Sequence, residues 1–227
     1  MIYCLHGFLG SPADFDDFDF GVRTHAVNLY QQVEGFDVWS RKFTEEVSAN
    51  DRAPILLGYS MGGRLALHAL LARPKLWKAA IIVSAHLGLK DEALRKQRRA
   101  SDEVWAQRFL NEPWDEVAAA WELQPVLSGI KKVREEVSYQ RPQIAASLRQ
   151  WSLWQQEHLG DRLAKIECPI LWIAGERDER YVKEARDAVK KLPSAELWLA
   201  EGCGHRVLWE RPREFEEKVK NFLQENA

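Results

Sequence analysis

Several features are scarce in this 227-residue chain, and each absence narrows what it can be. It has only three cysteines, Cys4, Cys168 and Cys203, an odd number with no C-x-x-C spacing. A disulfide framework or a zinc site is therefore not expected. No apolar run approaches the roughly 20 residues that a membrane span needs, and the opening MIYCLHG does not resemble a signal peptide. We expect a cytoplasmic protein in a reducing compartment.

A surplus of one charge is also lacking. The chain has 32 Lys and Arg against 34 Asp and Glu, a formal net charge of -2. Without a basic surplus or a polybasic block, neither a nucleic-acid partner nor a membrane partner is expected. No G-x-G-x-x-G, Walker loop or cluster with metal-ligand spacing is present, so no metal and no nucleotide cofactor is expected. A small-molecule enzyme remains the natural class, while the oligomeric state stays unknown.

Short apolar runs separated by helical patterns define the predicted fold. Between most of the runs lie helical patterns, such as 60–72 and 211–226. Strands that are buried on both faces and alternate with helices indicate an α/β fold with a mostly parallel central sheet flanked by helices. The six predicted strands lie within 2–5, 24–29, 54–58, 79–85, 169–175 and 196–200.

Residues from about 88 to 160 interrupt this alternation, because they contain helical patterns and no convincing strand. These patterns cover 90–112, 113–121 and 142–159. We expect a single domain over 1–227 with a helical lid insertion above the carboxyl ends of the strands, where ligands of open α/β sheets bind. Five of the ten tryptophans fall at 105, 114, 121, 151 and 154. They can pack the insertion itself, form an apolar pocket wall, or do both.

The chemistry is first indicated by G-x-S-x-G at 58–62, between a predicted strand and a predicted helix. Such a sharp turn holds the Ser60 hydroxyl clear of the sheet, and the Met61 N–H at the helix start then faces a developing oxyanion. A lone G-x-S-x-G is a weak signal, and a structural turn serine is the alternative. The flanking strand and helix favour a nucleophile.

A reactive serine needs an imidazole and a group that orients it. His205 lies in the glycine-rich loop 201–212, and Asp178 directly follows the strand 169–174. The order Ser60, Asp178, His205 is the triad order of α/β-hydrolases. Glu176, two residues from Asp178, is the rival acid, and His86, which also follows a strand, is the rival base.

The loop after the first strand is the predicted source of the second oxyanion donor. In 5-LHGFLGS-11 the Phe8 N–H is the expected donor, whereas His6 is expected to shape the loop and take no part in the chemistry. His68 falls within an apolar helical pattern and is expected to be a core histidine.

Arg64 raises a separate question, because it lies four residues after Ser60 and hence on the same helix face. A planar guanidinium matches a carboxylate through two hydrogen bonds. Burying its charge costs several kcal/mol unless an anion pairs with it. A substrate carboxylate is one candidate anion, and a carboxylate of the protein is the other.

Together, LHGFLGS, GYSMGGR, SAHLGL, WAQRFLNEP, AAWELQPV, GERD and GCGH resemble the α/β-hydrolase superfamily. Within it, the chain resembles the 2-succinyl-6-hydroxy-2,4-cyclohexadiene-1-carboxylate synthases of menaquinone (vitamin K2) biosynthesis, over nearly its whole length. That resemblance implies a lyase that eliminates pyruvate from 2-succinyl-5-enolpyruvyl-6-hydroxy-3-cyclohexene-1-carboxylate. It further implies that Ser60, activated by His205 and oriented by Asp178, abstracts a carbon-bound proton without forming an acyl-enzyme.

The resemblance also implies which side chains bind the anionic substrate. The family's carboxylate-binding arginines fall on Arg64 and Arg98, and by a looser match on Arg141, while its pocket tryptophan falls on Trp121. Arg98 lies in the charge run 95–99, which by itself is typical of a solvated face. With the expected pocket residues Tyr59 and His86, the predicted binding set is Arg64, Arg98, Arg141, Trp121, Tyr59 and His86.

Two departures from the family pattern leave alternatives open. The chain begins directly at the strand before HGF, which predicts a shortened N-terminal sheet edge, and 26–39 lacks the P-G-H-G turn of many relatives. The second departure concerns substrate identity more than the triad. The alternatives are a serine carboxylesterase or carbon–carbon bond hydrolase with the same triad, and a ligand-binding protein without activity. The arginine set favours the lyase over the hydrolase.

Overall fold

The computed structural model describes residues 1–136 and 139–226, in which six strands form one parallel sheet. The order across the sheet is β2-β1-β3-β4-β5-β6. The strands are β1 (Ile2–Leu5), β2 (Thr24–Val27), β3 (Ile55–Tyr59), β4 (Ala79–Val83), β5 (Ile170–Gly175) and β6 (Ala195–Ala200). Each predicted apolar run coincides with one of these strands to within two residues at either end, so the predicted parallel α/β sheet is confirmed.

The four inner strands are buried at every position, whereas β2 and β6, at the two edges, are only partly buried. This is why the inner strands are continuous apolar runs without alternation. The strands are paired in register, for example Ile2 with Ile55 and Ile55 with Ala79. Their carboxyl ends therefore meet at one edge of the sheet, where the loops after the strands come together.

Helices cover both faces of this sheet. On one face lie α1 (Phe36–Asn50), α2 (Met61–Ala72) and α6 (Glu179–Val189). The other face is covered by α8 (Pro212–Asn226) and the aromatic segment 15–20, with the short α7 (Val207–Glu210) before α8. The apolar side chains predicted to form one stripe of α8 are all buried: Phe215, Val219, Phe222 and Leu223.

Between β4 and β5 the described residues form a helical insertion with α3 (Glu92–Asn111), α4 (Trp114–Glu122) and α5 (Arg141–Gln150). Helices α3 and α5 pack against each other. The helix predicted over 142–159 ends earlier, at Gln150. The residues after Gln150 form hydrogen bonds with the core of the protein. The Trp151 indole N–H donates to the Glu34 carbonyl at 2.6 Å, and the Gln156 side-chain amide donates to the His86 carbonyl at 3.0 Å.

Both roles considered for the clustered tryptophans occur in the insertion. Trp114 and Trp151 are buried, and both Trp151 and Trp121 line a cavity above the sheet. All three cysteines carry free, buried thiols. Within 1–136 and 139–226, no helix combines the length and the apolar character needed to cross a lipid bilayer.

Candidate active site

Ser60 lies at the junction of β3 and α2, with φ 54° and ψ −109°. A non-glycine residue in this region is strained, and the surrounding structure must hold it there. The Ser60 N–H donates to the Val83 carbonyl on the neighbouring strand at 2.8 Å. A Cβ at Gly62 would overlap the carbonyl oxygens of Leu5 and His6, so the close approach of α2 to the sheet requires glycine. The turn therefore presents Ser60 at the carboxyl edge of the sheet.

His205 and Asp178 meet Ser60 at this edge. The Ser60 Oγ lies 2.9 Å from Nε2 of His205, and Nδ1 of His205 lies 2.7 Å from Oδ2 of Asp178. With the Nδ1 proton donated to the carboxylate, Nε2 is free to accept the serine hydroxyl proton. The rival acid Glu176 accepts instead from the Gly202 N–H at 3.1 Å on the exposed side of the loop. Three residues from three loops thus form a hydrogen-bonded chain.

The loop that carries His205 is fixed by the Glu210 carboxylate of α7. The Gly204 N–H donates to Glu210 Oε2 at 2.9 Å, and the Arg206 N–H donates to Oε1 at 3.2 Å. These two amides flank His205 in the chain. One carboxylate therefore restrains the backbone on both sides of the imidazole.

Phe8 and Met61 both line the Ser60 cavity, and neither backbone amide donates to a backbone carbonyl of the described residues. The Phe8 loop is held by His6, whose Nδ1 donates to the Gly7 carbonyl at 2.8 Å and whose Nε2 accepts from the Leu29 N–H at 3.2 Å. Burial lowers the pKa of His6 to about 4, so the ring is neutral and suited to this role.

The cavity above Ser60 is small, with a free volume of about 100 Å³. Its apolar wall includes Trp121, whose ring centroid lies 4.4 Å from that of Phe8. Tyr59 and Tyr181 lie beside the His205 ring, with Tyr181 closer at 4.5 Å between centroids. Among the predicted binding residues, this cavity is lined by Tyr59, Arg64, Arg98 and Trp121.

Arg64 is only 9% exposed, and its charge has no carboxylate partner among the described residues. One guanidinium nitrogen, Nη1, donates to the Trp151 carbonyl and, at 3.4 Å, to Oε1 of Gln156. Burial and the nearby charge of Arg98 lower the pKa of Arg64 to about 10. Arg64 is therefore a cation at neutral pH, and the ion pair with a protein carboxylate that was its alternative explanation does not occur among the described residues.

Arg98 is oriented by Asp102, one helical turn further along α3. The Arg98 Nε donates to both carboxylate oxygens of Asp102 at 2.8 Å, and the Ser152 hydroxyl donates to the same carboxylate. Asp102 is buried and also lines the cavity. Because only Nε bonds to another residue in the described part of the chain, the two Nη groups of Arg98 remain available at the cavity wall.

The predicted placement of Arg141 and His86 in this cavity is corrected by the structure. The Arg141 Nη1 donates to the Glu112 carbonyl at 2.7 Å and the Phe109 carbonyl at 3.2 Å, because the free carbonyls at the end of α3 attract a cation. His86 lines an adjoining groove, 2.9 Å from Nη2 of Arg180. Burial and the Arg180 charge lower the pKa of His86 to about 3, so the ring is neutral.

Two arginines that line the cavity were missed by the sequence analysis. Arg134 pairs with Asp14 at 2.9 Å, and Arg206 donates to Glu122 through both Nη atoms at 2.6 and 2.7 Å. Both pairs are almost fully buried and link the insertion to loops at the sheet edge. Adjacency to His205 could have drawn attention to Arg206, whereas Arg134 lies in a stretch with no recognisable pattern.

The described residues hold no group of three or more His, Cys, Asp or Glu side chains that could bind a metal ion. What the arrangement offers is a serine hydroxyl, an imidazole that can take its proton, two free amide donors and two arginines beside them. It can therefore remove a proton from a bound anion, or attack an acyl carbon, and stabilise the oxyanion that forms.

Comparison with known proteins places the chain among its relatives. A family model described as the alpha/beta hydrolase family matches residues 2–218. The 2-succinyl-6-hydroxy-2,4-cyclohexadiene-1-carboxylate synthase of Yersinia enterocolitica serotype O:8 is 31% identical, with 98% of this chain and 86% of that protein covered. A protein of Bacillus subtilis strain 168, named as a putative synthase of the same kind, is 28% identical over 98% of this chain and 89% of its own.

Solved structures show the same fold. The structure of MenH from S. aureus superposes with a TM-score of 0.90 at 24% identity, covering 99% of this chain and 93% of that one. The carboxylesterase CesB (YbfK) from Bacillus subtilis gives 0.71 at 18% identity, covering 100% and 84%. The chain therefore belongs to the α/β-hydrolase family and, within it, to the 2-succinyl-6-hydroxy-2,4-cyclohexadiene-1-carboxylate synthases.

Proposed function

We propose that this protein is a lyase that eliminates pyruvate from 2-succinyl-5-enolpyruvyl-6-hydroxy-3-cyclohexene-1-carboxylate, giving 2-succinyl-6-hydroxy-2,4-cyclohexadiene-1-carboxylate. The names of the relatives that match nearly the full chain support this reaction. The structural observation that carries it is Arg64, a buried cation one helical turn from Ser60 that has no carboxylate partner among residues 1–136 and 139–226. A neutral ester would leave that charge unpaired, whereas a substrate with several carboxylates supplies its partner.

In the proposed mechanism the triad moves one proton from carbon to the leaving group. His205 accepts the Ser60 hydroxyl proton as the serine oxygen takes the proton next to the succinyl carbonyl, and Asp178 stabilises the imidazolium. The electron pair of the broken C2–H bond forms the C2=C3 double bond, the C3=C4 double bond shifts to C4=C5, and the bond from C5 to the enolpyruvyl oxygen breaks. His205 returns its proton to that oxygen, the enol becomes pyruvate, and no bond to Ser60 forms.

The amides of Phe8 and Met61 are the proposed donors to the substrate carbonyl oxygen, where charge accumulates when the proton leaves. Such preorganised donors act most strongly in a site that excludes water. Arg64 and the free Nη groups of Arg98 are the proposed carboxylate anchors, and Trp121 the apolar wall for the ring. Arg141 has no place in this proposal, because it binds the end of α3.

The helical insertion is the proposed lid of a single domain over 1–227. Sites for molecules of this size usually offer about 300–1,000 Å³, whereas the cavity above Ser60 offers about 100 Å³. We infer that the insertion moves aside for substrate to enter and then closes over it. A cytoplasmic location is part of the proposal and is supported by three free, buried thiols, which suit a reducing compartment.

A serine carboxylesterase or carbon–carbon bond hydrolase is the second candidate, because the same triad geometry and the likeness to a carboxylesterase fold also support acyl transfer. The acyl path of such a hydrolase differs from the lyase path because it acylates Ser60. Intact-protein mass spectrometry during turnover of the cyclohexene substrate separates them. The lyase path predicts an unchanged mass throughout, whereas an added acyl mass that is absent from Ser60→Ala would establish the hydrolase.

A further inference from the structure

A second concave surface adjoins the cavity above Ser60. It is a groove of about 750 Å³ between the loop after β4, the first turns of α3, and α6. We call it the access groove, and the residues that line it are 86–91, Leu94, Gln97, Arg98, Ser101, His158, Arg180, Lys183, Glu184, Asp187, Lys190 and Lys191. Arg98 lines both the access groove and the Ser60 cavity. The two concavities are therefore neighbours that share one arginine.

The access groove carries a local excess of positive charge. Six cationic side chains line it, against three carboxylates, Asp91, Glu184 and Asp187. The whole chain has a net charge of -2, so this excess does not follow from composition. The six cations are Lys90, Arg98, Arg180, Lys183, Lys190 and Lys191.

Three of these cations, Lys90, Lys183 and Lys190, are exposed and form no ion pair within the described residues. Lys191 is different, because it pairs with Asp161 at 3.1 Å. Of the groove carboxylates, Glu184 accepts from the Leu87 N–H at 2.9 Å. The free ammonium groups are thus available to an anion that comes from solvent.

The small size of the Ser60 cavity indicates why positive charge in the access groove matters for substrate binding. With about 100 Å³ of free volume it cannot admit the proposed substrate while the insertion is closed. An incoming molecule therefore meets the protein first at an outer surface. The access groove is large enough to hold it and adjoins the cavity at Arg98, whose Nη groups are not used by Asp102.

We propose that the access groove is an anion-binding site that captures a polycarboxylate through Lys90, Lys183 and Lys190 before Arg98 receives it at the Ser60 cavity. The inference rests on the proposed function for the identity of the substrate. Clefts lined by one charge raise association rates by about 10–10³, and the effect falls with ionic strength. The groove lysines therefore act on kcat/KM and leave kcat unchanged.

The test compares two triple variants that change the net charge equally. K90Q/K183Q/K190Q removes the groove cations. K75Q/K78Q/K165Q removes three exposed lysines that lie near the amino ends of β4 and β5, on the opposite side of the sheet. At low salt we expect the groove variant to lose about 10-fold in kcat/KM for pyruvate release, with kcat within two-fold, and the control to lose less than two-fold. The loss should vanish near 1 M salt, where the Debye length is about 3 Å.

Equal losses in both triples, or no loss in the groove variant, would overturn the access groove while leaving the lyase intact. If the wild-type protein released no pyruvate, the proposed function would be refuted but the access groove would not. A second measurement therefore tests the groove without pyruvate release. The readout is the inactivation rate of Ser60 by p-nitrophenyl phosphonates with and without carboxylate substituents. The groove variant should slow only the carboxylated reagent, and equal rates for the two reagents would again refute the groove.

Discussion

Arg206, the residue after His205, binds Glu122, the residue after Trp121, through both of its Nη atoms at 2.6 and 2.7 Å. This buried pair joins the loop that carries the imidazole to the wall of the cavity. Arg134 and Asp14 form a second buried pair, at 2.9 Å, between the insertion and the loop after β1. The insertion is thus attached at two points to loops at the carboxyl edge of the sheet.

Breaking the first pair should destabilise the protein strongly. Arg206→Met leaves the Glu122 carboxylate buried without its partner, and losses of this kind amount to about 3–5 kcal/mol. Urea unfolding measures the free energy. The matched control is Arg211→Met, which breaks an exposed pair with Glu214 and should cost less than about 1 kcal/mol. A second change, Glu122→Leu, should restore part of the stability that Arg206→Met loses. Equal losses of unfolding free energy in Arg206→Met and Arg211→Met would show that the buried pair stabilises the fold no more than an exposed pair does.

The acid of the triad can be tested against its neighbour. Asp178→Asn removes the charge that orients and stabilises His205, and in a comparable triad this change lowers kcat by about 10⁴. Glu176→Gln alters a carboxylate on the same loop that binds only the Gly202 amide, and it should keep most of the activity. Pyruvate release by the two variants decides the assignment. A greater loss in Glu176→Gln would move the acid to position 176.

Arg64 and Arg141 were both predicted to bind substrate carboxylates, but of the two only Arg64 lines the Ser60 cavity described here. Substitutions at these two positions give a second matched pair of variants. Arg64→Met should lower kcat/KM for the anionic substrate by about 10²-fold, since it removes a buried charge from a carboxylate. Arg141→Met removes a guanidinium that contacts the end of α3 and should change kcat/KM less than two-fold. If Arg141→Met caused the larger loss with the fold intact, the carboxylate anchor would lie there, as the sequence first suggested.

His68 should weaken the fold in acid. Its ring stacks on Phe36 with 4.3 Å between centroids, and burial lowers its pKa to about 3. Between that value and the ordinary pKa near 6.5 only the unfolded chain takes up the proton, so stability falls as the pH drops below about 6.5. At pH 5 the loss is about 2 kcal/mol for this group.

The variant His68→Phe should therefore lose about 2 kcal/mol less than the wild type between pH 7 and pH 5. The exposed His25, changed to Phe, is the control and should leave the loss unaltered. The free energy of unfolding at the two pH values measures both. An identical acid loss in all three proteins would mean that His68 is not held neutral in the fold.

The parts of this structure that follow from local sequence were predictable. The strands are apolar runs, and the Ser60 turn is fixed by glycines at 58 and 62 that admit α2 close to the sheet. Asp178 and His205 follow parallel strands, whose carboxyl ends must meet at one edge. These relationships need no knowledge of how distant segments pack.

Contacts between distant segments were not predictable where no strand end brings the segments together. Arg134 and Arg206 form ion pairs with carboxylates that are 120 and 84 residues away in the sequence. No sequence spacing therefore predicts either pair. Arg141 follows a stretch without periodicity, and its guanidinium is captured by carbonyls at the end of α3. Helix α5 stops at Gln150, because the Trp151 indole is bound to the Glu34 carbonyl. In each case tertiary packing determines the contact, and no local pattern specifies it.

The central claim is that this triad performs an elimination on a polyanion and not the hydrolysis of an ester. Its most direct test is pyruvate release from 2-succinyl-5-enolpyruvyl-6-hydroxy-3-cyclohexene-1-carboxylate, generated in situ by the upstream synthase, beside hydrolysis of p-nitrophenyl acetate by the same preparation. The account predicts rapid pyruvate release that Ser60→Ala abolishes, with negligible ester cleavage. Ester cleavage with pyruvate release at the Ser60→Ala background would contradict it.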